Sequence, residues 1–220
     1  MITRICEPAL MEDEAQVKSW NNAHRKFSIG GFVEWFKHRK DRSGIIVDVG
    51  CGTGALGIEL LTEFPKIKIK GFDGSALMIQ YAKENIKNNN LEHAYEVECT
   101  MIEDVAPIKD CKTIVSLGVL HHFEDPIIFW NSLKQISSAP GVCWMILDIV
   151  RPNSESEVEE IIATVETKSA EYTNDLRNSL YAAFTVDEVK NQLTSLNLIY
   201  DIDVHFNPIA GELMMIQVRF

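Results

Sequence analysis

Between Gly44 and about Val150 the chain alternates short apolar runs with amphipathic stretches of helical period. Gly44–Val49 has the length and apolar character of a buried strand, and it leads directly into Gly50-Cys51-Gly52-Thr53-Gly54, with a helix beginning near Ala55. Lys66–Asp73 alternates with period two, the mark of a second strand. Ser75 can cap a helix over Ala76–Asn88, which Asn88-Asn89-Asn90 closes. Ala94–Thr100 predicts a third strand, Thr113–Gly118 a fourth buried on both faces, and Val142–Val150 a nearly continuous apolar fifth. Asp125-Pro126 opens the helix between the last two, with aspartate at the N-cap and proline at the first helical position, and Ala139-Pro140-Gly141 ends it. Strands that are apolar throughout and alternate with helices imply a parallel sheet covered on both faces.

The two ends read differently. Residues 8–42 are helical in pattern and carry Trp20, Phe27, Phe32, Trp35 and Phe36. After the fifth strand, Ser154 with Glu157 suggests a capping box for a helix through about Lys168, and Thr185 with Glu188 suggests another, to about Ser195. Strands over Leu198–Phe206 and Leu213–Phe220 flank the short connection Asn207-Pro208-Ile209-Ala210-Gly211, which predicts a hairpin and one antiparallel strand at the end of the sheet. The expected fold is α/β: a seven-stranded, mostly parallel, doubly wound sheet with one antiparallel strand. Its expected parts are a helical cap (1–43), a cofactor-binding core (44–151), a helical lid inserted after the fifth strand (152–196) and a terminal hairpin (197–220), all in one domain.

Composition narrows the function classes. A length of 220 residues suits one α/β domain with a sizeable core, and a 46% hydrophobic content rules against disorder. No apolar run approaches the roughly 20 residues that span a bilayer, and the N-terminus lacks the apolar core of a secretory signal. A net charge of −11 argues against a nucleic-acid partner, since phosphate binding needs a basic face. The basic run Lys37-His38-Arg39-Lys40 with Arg42 reads instead as the cationic C-terminal end of an N-terminal helix. Five cysteines without a C-x-x-C pair suit reduced thiols. The expectation is a cytoplasmic protein with a small-molecule partner, no nucleic acid and no membrane.

The glycine turn is where chemistry is expected. Ligands of open α/β sheets bind beyond the carboxyl ends of the strands, where the turn and Asp73 both lie, and an acidic side chain there can accept both hydroxyls of a ribose. Gly50-x-Gly52-x-x-Ala55 also satisfies the loose dinucleotide pattern, so a nicotinamide-dependent oxidoreductase is an alternative; a phosphate-cradling Lys-Ser/Thr is missing, so a P-loop is not.

The blocks VDVGCGTG, GFDGSALMIQYAKENI, VSLGVLHHFEDP and LDIVRP, in that order, resemble the class I S-adenosylmethionine-dependent methyltransferases of small-molecule type over about residues 44–151. The resemblance implies S-adenosylmethionine as cofactor, S-adenosylhomocysteine as product, and methyl transfer to a small molecule by in-line displacement. It implies that Asp48, through water, and the turn Gly50, Cys51, Gly52 and Gly54 contact the methionine portion. Asp73, with Gly74 beside it, would hold the ribose, Met78 would pack on the adenine, Thr100 and Met101 would sit at its edge with the N–H of Met101 or Ile102 meeting a ring nitrogen, and Leu117 and Gly118 would floor the sulfonium. Two positions depart from the family pattern: Thr100 stands where many members have an acidic residue, and Thr113 where an aspartate is common.

His121 and His122 are candidate general bases, since histidine titrates near neutrality. No metal is expected, because further ligands do not cluster nearby in sequence and the metal-dependent branch needs a carboxylate where Leu117-Gly118 stand, although Asp148 faces the same rim. Trp20, Arg25, Arg151 and Tyr181, with Tyr172 and Asn178, are candidates to meet the acceptor from the cap and lid. A non-catalytic protein that binds the cofactor is a further alternative.

Overall fold

The computed structural model describes the chain apart from residues 1, 8–9, 23–25, 40–41, 138–139, 166–169, 208–209 and 220, and apart from the side chains of residues 22 and 26–28. Its helices are α1 (Glu14–Asn22), α2 (Lys26–Lys37), α3 (Ala55–Glu63), α4 (Ala76–Asn88), α5 (Pro126–Ile136), α6 (Glu155–Ala163), α7 (Ala170–Ala182) and α8 (Val186–Ser195). Its strands are β1 (Ile45–Val49), β2 (Lys68–Asp73), β3 (Tyr95–Cys99), β4 (Cys111–Leu117), β5 (Cys143–Ile149), β6 (Ile199–Asn207) and β7 (Gly211–Arg219). They form one seven-stranded sheet in the order β3-β2-β1-β4-β5-β7-β6, parallel except for β7, which runs antiparallel to both its neighbours. The antiparallel strand therefore lies one place in from the edge, and β6 lies outside it.

The apolar runs explain the layers. All seven residues of β5 are buried, with Met145 and Leu147 packing on one face beside α2, α3 and α7, and Trp144 and Ile146 on the other beside α5 and α8. Ser75 caps α4 by accepting from Met78 N at 3.1 Å, and Asp125 caps α5 ahead of Pro126. Thr185 and Glu188 form the reciprocal box expected at α8. At α6 the box is incomplete: Ser154 accepts from Glu157 N, but Glu157 reaches back to Asn153 N, one residue early. That helix ends at Ala163, and the expected end at Lys168 lies outside the described residues. The helical cap contains two helices, α1 and α2, and the insertion after β5 contains α7 in addition to α6 and α8. Arg42 donates to the carbonyls of Lys37 and Arg39, so the basic run does close α2; Lys40 is outside the described residues.

One internal contact organises the sheet beneath the glycine turn. Tyr95 of β3 is 2% exposed and donates its hydroxyl to Asp48 Oδ2 at 2.6 Å. Gly57 of α3 leaves the room: a Cβ there would lie 2.2 Å from Tyr95 Cε1 and 2.7 Å from its hydroxyl. Gly57→Ala would gain up to about 1 kcal/mol of helix propensity. Overpacking against a ring fixed by its own hydrogen bond costs about 1–3 kcal/mol, so the clash is expected to win. The variant should melt at lower temperature, and an unchanged or higher melting temperature would show that the ring can move aside.

Candidate functional site

The strand order reverses between β1 and β4, with β1 followed by β2 on one side and β4 by β5 on the other. A cavity of about 240 Å³ opens at this switch point beyond the carboxyl ends of the strands. The glycine turn borders it because of two constraints at Gly50. Its φ is +65°, and a Cβ would lie 2.3 Å from Val119 Cγ2. Gly50 N and Cys51 N both donate to Phe72 O, which locks the turn onto the end of β2.

Asp73, at the end of β2, stands on the cavity wall and accepts from two backbone amides: Gly52 N at 2.8 Å on Oδ2 and Ser75 N at 2.8 Å on Oδ1. It thus joins the glycine turn to the start of α4. Met78 and Ile102 line the same end of the cavity, as do Gly74, Thr100 and the partly exposed Met101. Thr100 donates its hydroxyl to Glu98. Leu10 and Met11 cover this end from the N-terminal side, and Ser75 Oγ donates to Met11 O at 2.6 Å. Leu117 and Gly118 form the floor.

At the far end lies a cluster of charge. His121 and His122 belong to a single 3₁₀ turn, Leu120–His122, after β4. The His121 ring is buried between two carboxylates, with Nδ1 2.6 Å from Asp148 Oδ1 and Nε2 3.1 Å from Glu7 Oε1. His122 lies against it with ring centroids 4.4 Å apart, and its Nδ1 is 3.4 Å from the same Glu7 oxygen. Ser179 of α7 donates to Glu7 at 3.1 Å. Burial alone would lower the His121 pKa, but the Asp148 and Glu7 carboxylates overcome it and lift it to about 10. Burial likewise works to raise Asp148 and Glu7, yet His121 holds both below their ordinary values. The buried unit is an imidazolium between two carboxylates.

Glu7 arrives on a strap formed by residues 2–7. Arg4 fixes it, donating through Nε to Ala182 O at 2.7 Å and through Nη2 to His121 O and Phe123 O, while its guanidinium lies over the Phe184 ring. Ile5 N donates to Tyr181 O. Trp20 of α1 and Tyr172 of α7 both line the cavity, and their rings meet at 4.9 Å between centroids. Trp20 Nε1 and Gln16 Nε2 donate to opposite oxygens of Asp175, each at 2.9 Å, so one carboxylate of α7 holds α1 in place.

Several expectations need correction against this geometry. Both His121 nitrogens face carboxylates, so this ring has no lone pair with which to act as a general base. Arg151 does not line the cavity: its guanidinium is buried, donating to Glu188 at 2.6 Å and to Ala183 O. Tyr181 does not line it either and donates its hydroxyl to Glu155, while Asn178 is exposed. Asp48, Cys51 and Gly54 do not line the cavity, and Asp48 Oδ2 accepts from the Tyr95 hydroxyl. The neighbourhood also holds carboxylates that were not evident along the chain: the ligand atoms of Glu7, His121 and His122 lie within 4.8 Å of one another. With His121 already paired on both nitrogens, the trio reads as an ion-pair network. Arg25 and the Phe27 side chain lie outside the described residues. Glu7, Ser179 and Tyr95 had no sequence signal, because each acts through a partner far away in the chain.

Known proteins resolve what this site belongs to. Residues 40–197 match the family model described as "Methyltransferase domain". The chain is 33% identical over 97 residues to malonyl-[acyl-carrier protein] O-methyltransferase of Acetivibrio thermocellus, covering 44% of this chain and 33% of that protein. It is 32% identical over 133 residues to tRNA U34 carboxymethyltransferase of Nautilia profundicola, covering 58% and 42%. The chain thus spans less than half the length of these relatives. In fold it resembles a SAM-dependent methyltransferase of Aquifex aeolicus, with a TM-score of 0.71 at 15% identity, covering 96% of this chain and all of that one. The plantazolicin methyltransferase BpumL, solved in complex with a pentazolic desmethylPZN analog and SAH, gives a TM-score of 0.69 at 18% identity over 93% and 89%. The chain belongs to the class I S-adenosylmethionine-dependent methyltransferase family.

The residues present fit that family's cofactor, S-adenosylmethionine. A carboxylate at the strand end suits a ribose, an apolar wall of Met78 and Ile102 suits an adenine, and a turn that presents Gly50 and Gly52 to the cavity admits close backbone approach. Among the described residues, no helix is long and apolar enough to cross a membrane.

Proposed function

We propose that the protein transfers the methyl group of S-adenosylmethionine to a small-molecule acceptor. The observation that carries this reading is the continuity of the cavity from the glycine turn to the histidine cluster, with Trp20 and Tyr172 on its wall. Asp73 and the Gly50–Gly54 turn hold the ribose and methionine portions, Met78, Thr100, Met101 and Ile102 border the adenine, and Leu117 underlies the sulfonium. The bound cofactor supplies an electrophilic methyl group. The chain's part is to place the acceptor in line with it and exclude water, which can supply much of the rate.

The cap and lid choose the acceptor. Trp20, Tyr172, Leu176, Asn207 and Leu213 line that end of the cavity. Asp175 clasps α1 to α7, so loosening α1 is the natural way in. The net charge of −11 favours a small acceptor over RNA. Five free cysteines, among them the exposed Cys6 and Cys99, favour a cytoplasmic setting.

Methyl-labelled S-adenosylmethionine, incubated with the protein and separately with a small-metabolite extract, total tRNA and ribosomal RNA, tests this. Label is expected in the metabolite fraction. Label in either RNA would overturn the small-molecule reading, and tight S-adenosylhomocysteine binding with no transfer anywhere would favour a non-catalytic binder. A thermal shift with NAD instead would return the oxidoreductase alternative.

A further inference from the structure

Strand β6 is the outermost strand at one end of the sheet, and its free edge carries an ordered pattern of side chains. We infer that a second copy of this chain docks there, β6 against β6 and antiparallel, about a two-fold axis at Val204. The inference goes beyond the methyltransferase reading and does not depend on it.

The backbone decides which residues can pair. Val150 N donates to Glu212 O, so the main chain of Glu212 faces β5. Alternate residues of an antiparallel strand turn their N–H and C=O to opposite neighbours, so Gly211, Leu213 and Met215 face β6. They stand opposite Asn207, His205 and Asp203. The main-chain groups of Ile202, Val204 and Phe206 are left pointing away from the sheet. Sheet edges are commonly protected by lysine, proline or a bulge. The segment Ile199–Asn207 contains no lysine, arginine or proline, and its pairing with β7 runs without a break.

The side chains select both the partner and the register. One face of the edge is apolar: Val204 is 42% exposed and Phe206 77%, with Ile202 half-buried beside them. On the other face Asp201 pairs with Arg219, whereas Asp203 and His205 have no side-chain partner among the described residues. With Val204 on the axis, it meets its own copy, and Ile202 meets the partner's Phe206 twice, which continues the apolar row from one chain into the other. The same register sets Asp203 against the partner's His205, also twice, as non-hydrogen-bonded pairs, where side chains lie closest. An axis at Ile202 would face Asp201 with the partner's Asp203. One at Asp203 would oppose that carboxylate to its own copy, and one at His205 would give Asp203 no imidazole. Like charges directly opposite destabilise a strand pair, so the carboxylates discriminate against the first two alternatives.

Sedimentation velocity on the full chain, over a range of protein concentrations, tests the proposal. At about 0.15 M salt the repulsion between two exposed acidic surfaces is screened beyond about 8 Å, which matters for chains of net charge −11. A concentration-dependent equilibrium of monomer and dimer is expected. His205→Asp sets carboxylate against carboxylate and should weaken the dimer by about 10-fold or more, and Val204→Lys should abolish it. Exchanging the two residues, Asp203→His with His205→Asp, keeps the contact in reversed order and should restore the dimer. All three positions are exposed, so melting temperatures close to that of the wild type are expected. A wild type that is monomeric at every concentration overturns the proposal without any variant and leaves this edge to a partner of different sequence. A dimer indifferent to Val204→Lys places the interface elsewhere. A dimer lost in His205→Asp and not recovered by the exchange refutes the register.

Discussion

Asp148→Ala is expected to be the most destabilising single change in the site. Asp148 is 2% exposed and sits 2.6 Å from the buried His121 ring, with its other oxygen 3.3 Å from His121 N. Truncating it strands an imidazolium with Glu7 as its remaining carboxylate. Breaking a buried pair by removing one partner costs about 3–5 kcal/mol, which in a chain of this size corresponds to a fall in Tm of roughly 10 °C. Thermal melts at neutral pH check it, and equal melting temperatures for variant and wild type would mean that the pair carries no stability. The pH dependence gives a second reading. His121 is raised from 6.5 to about 10, so its contribution is complete below 6.5 and is lost as pH rises toward 10. Asp148 and Glu7 are lowered from 3.8 and 4.5, so theirs is present above those values and lost as pH falls through the lowered ones. The wild type should therefore lose stability between neutrality and pH 10. In the variant, where one raising carboxylate is gone, that loss should be smaller and be complete at lower pH.

Asp73→Ala is expected to have the largest effect on cofactor affinity. Its carboxylate accepts from Gly52 N and Ser75 N, so it holds the glycine turn against the start of α4 while facing the space where a ribose fits. Hydrogen bonds to a charged group contribute about 1.5–3 kcal/mol each. Loss of the ribose contact together with a slackened turn should weaken S-adenosylhomocysteine binding by at least about 10²-fold. Asp73→Asn keeps one acceptor oxygen and should lose less. Calorimetric titration of both variants separates the roles: unchanged affinity in Asp73→Ala would reduce this residue to a helix-entry charge.

The parts of the fold that were readable in the sequence are those specified locally. Strand β5 announces itself by an unbroken apolar run, α4 by Ser75 three residues before Met78, and α8 by Thr185 and Glu188. The glycine turn and Asp73 were legible for the same reason, since a strand, a turn and an acidic residue at the next strand end lie within a short stretch. What failed to show was whatever depends on distant partners. Glu7 meets His121 more than a hundred residues away, and Tyr95 of β3 reaches Asp48 of β1 across the intervening β2. Arg151 illustrates the converse error: it follows a strand that ends at the site, yet its guanidinium turns to Glu188, the residue that also completes the α8 cap. Helix α7 was not expected as a separate element, and what identifies it is the face of Asp175, Leu176, Ser179 and Leu180 that it buries.

The strap and strand β7 have a consequence for how the chain is made. Arg4 precedes its acceptors in the chain by more than a hundred residues, since these are the carbonyls of His121, Phe123 and Ala182, and β6 joins the sheet only through β7, which follows it. Neither end of the active cavity can be finished while the ribosome is still extending residues 170–219. The exposed apolar side chains of β6, Ile199, Val204 and Phe206, emerge before the strand that gives β6 its place. Until β7 has followed it, β6 has no partner, and its apolar side chains face the cell along an unpaired edge of the kind a chaperone covers.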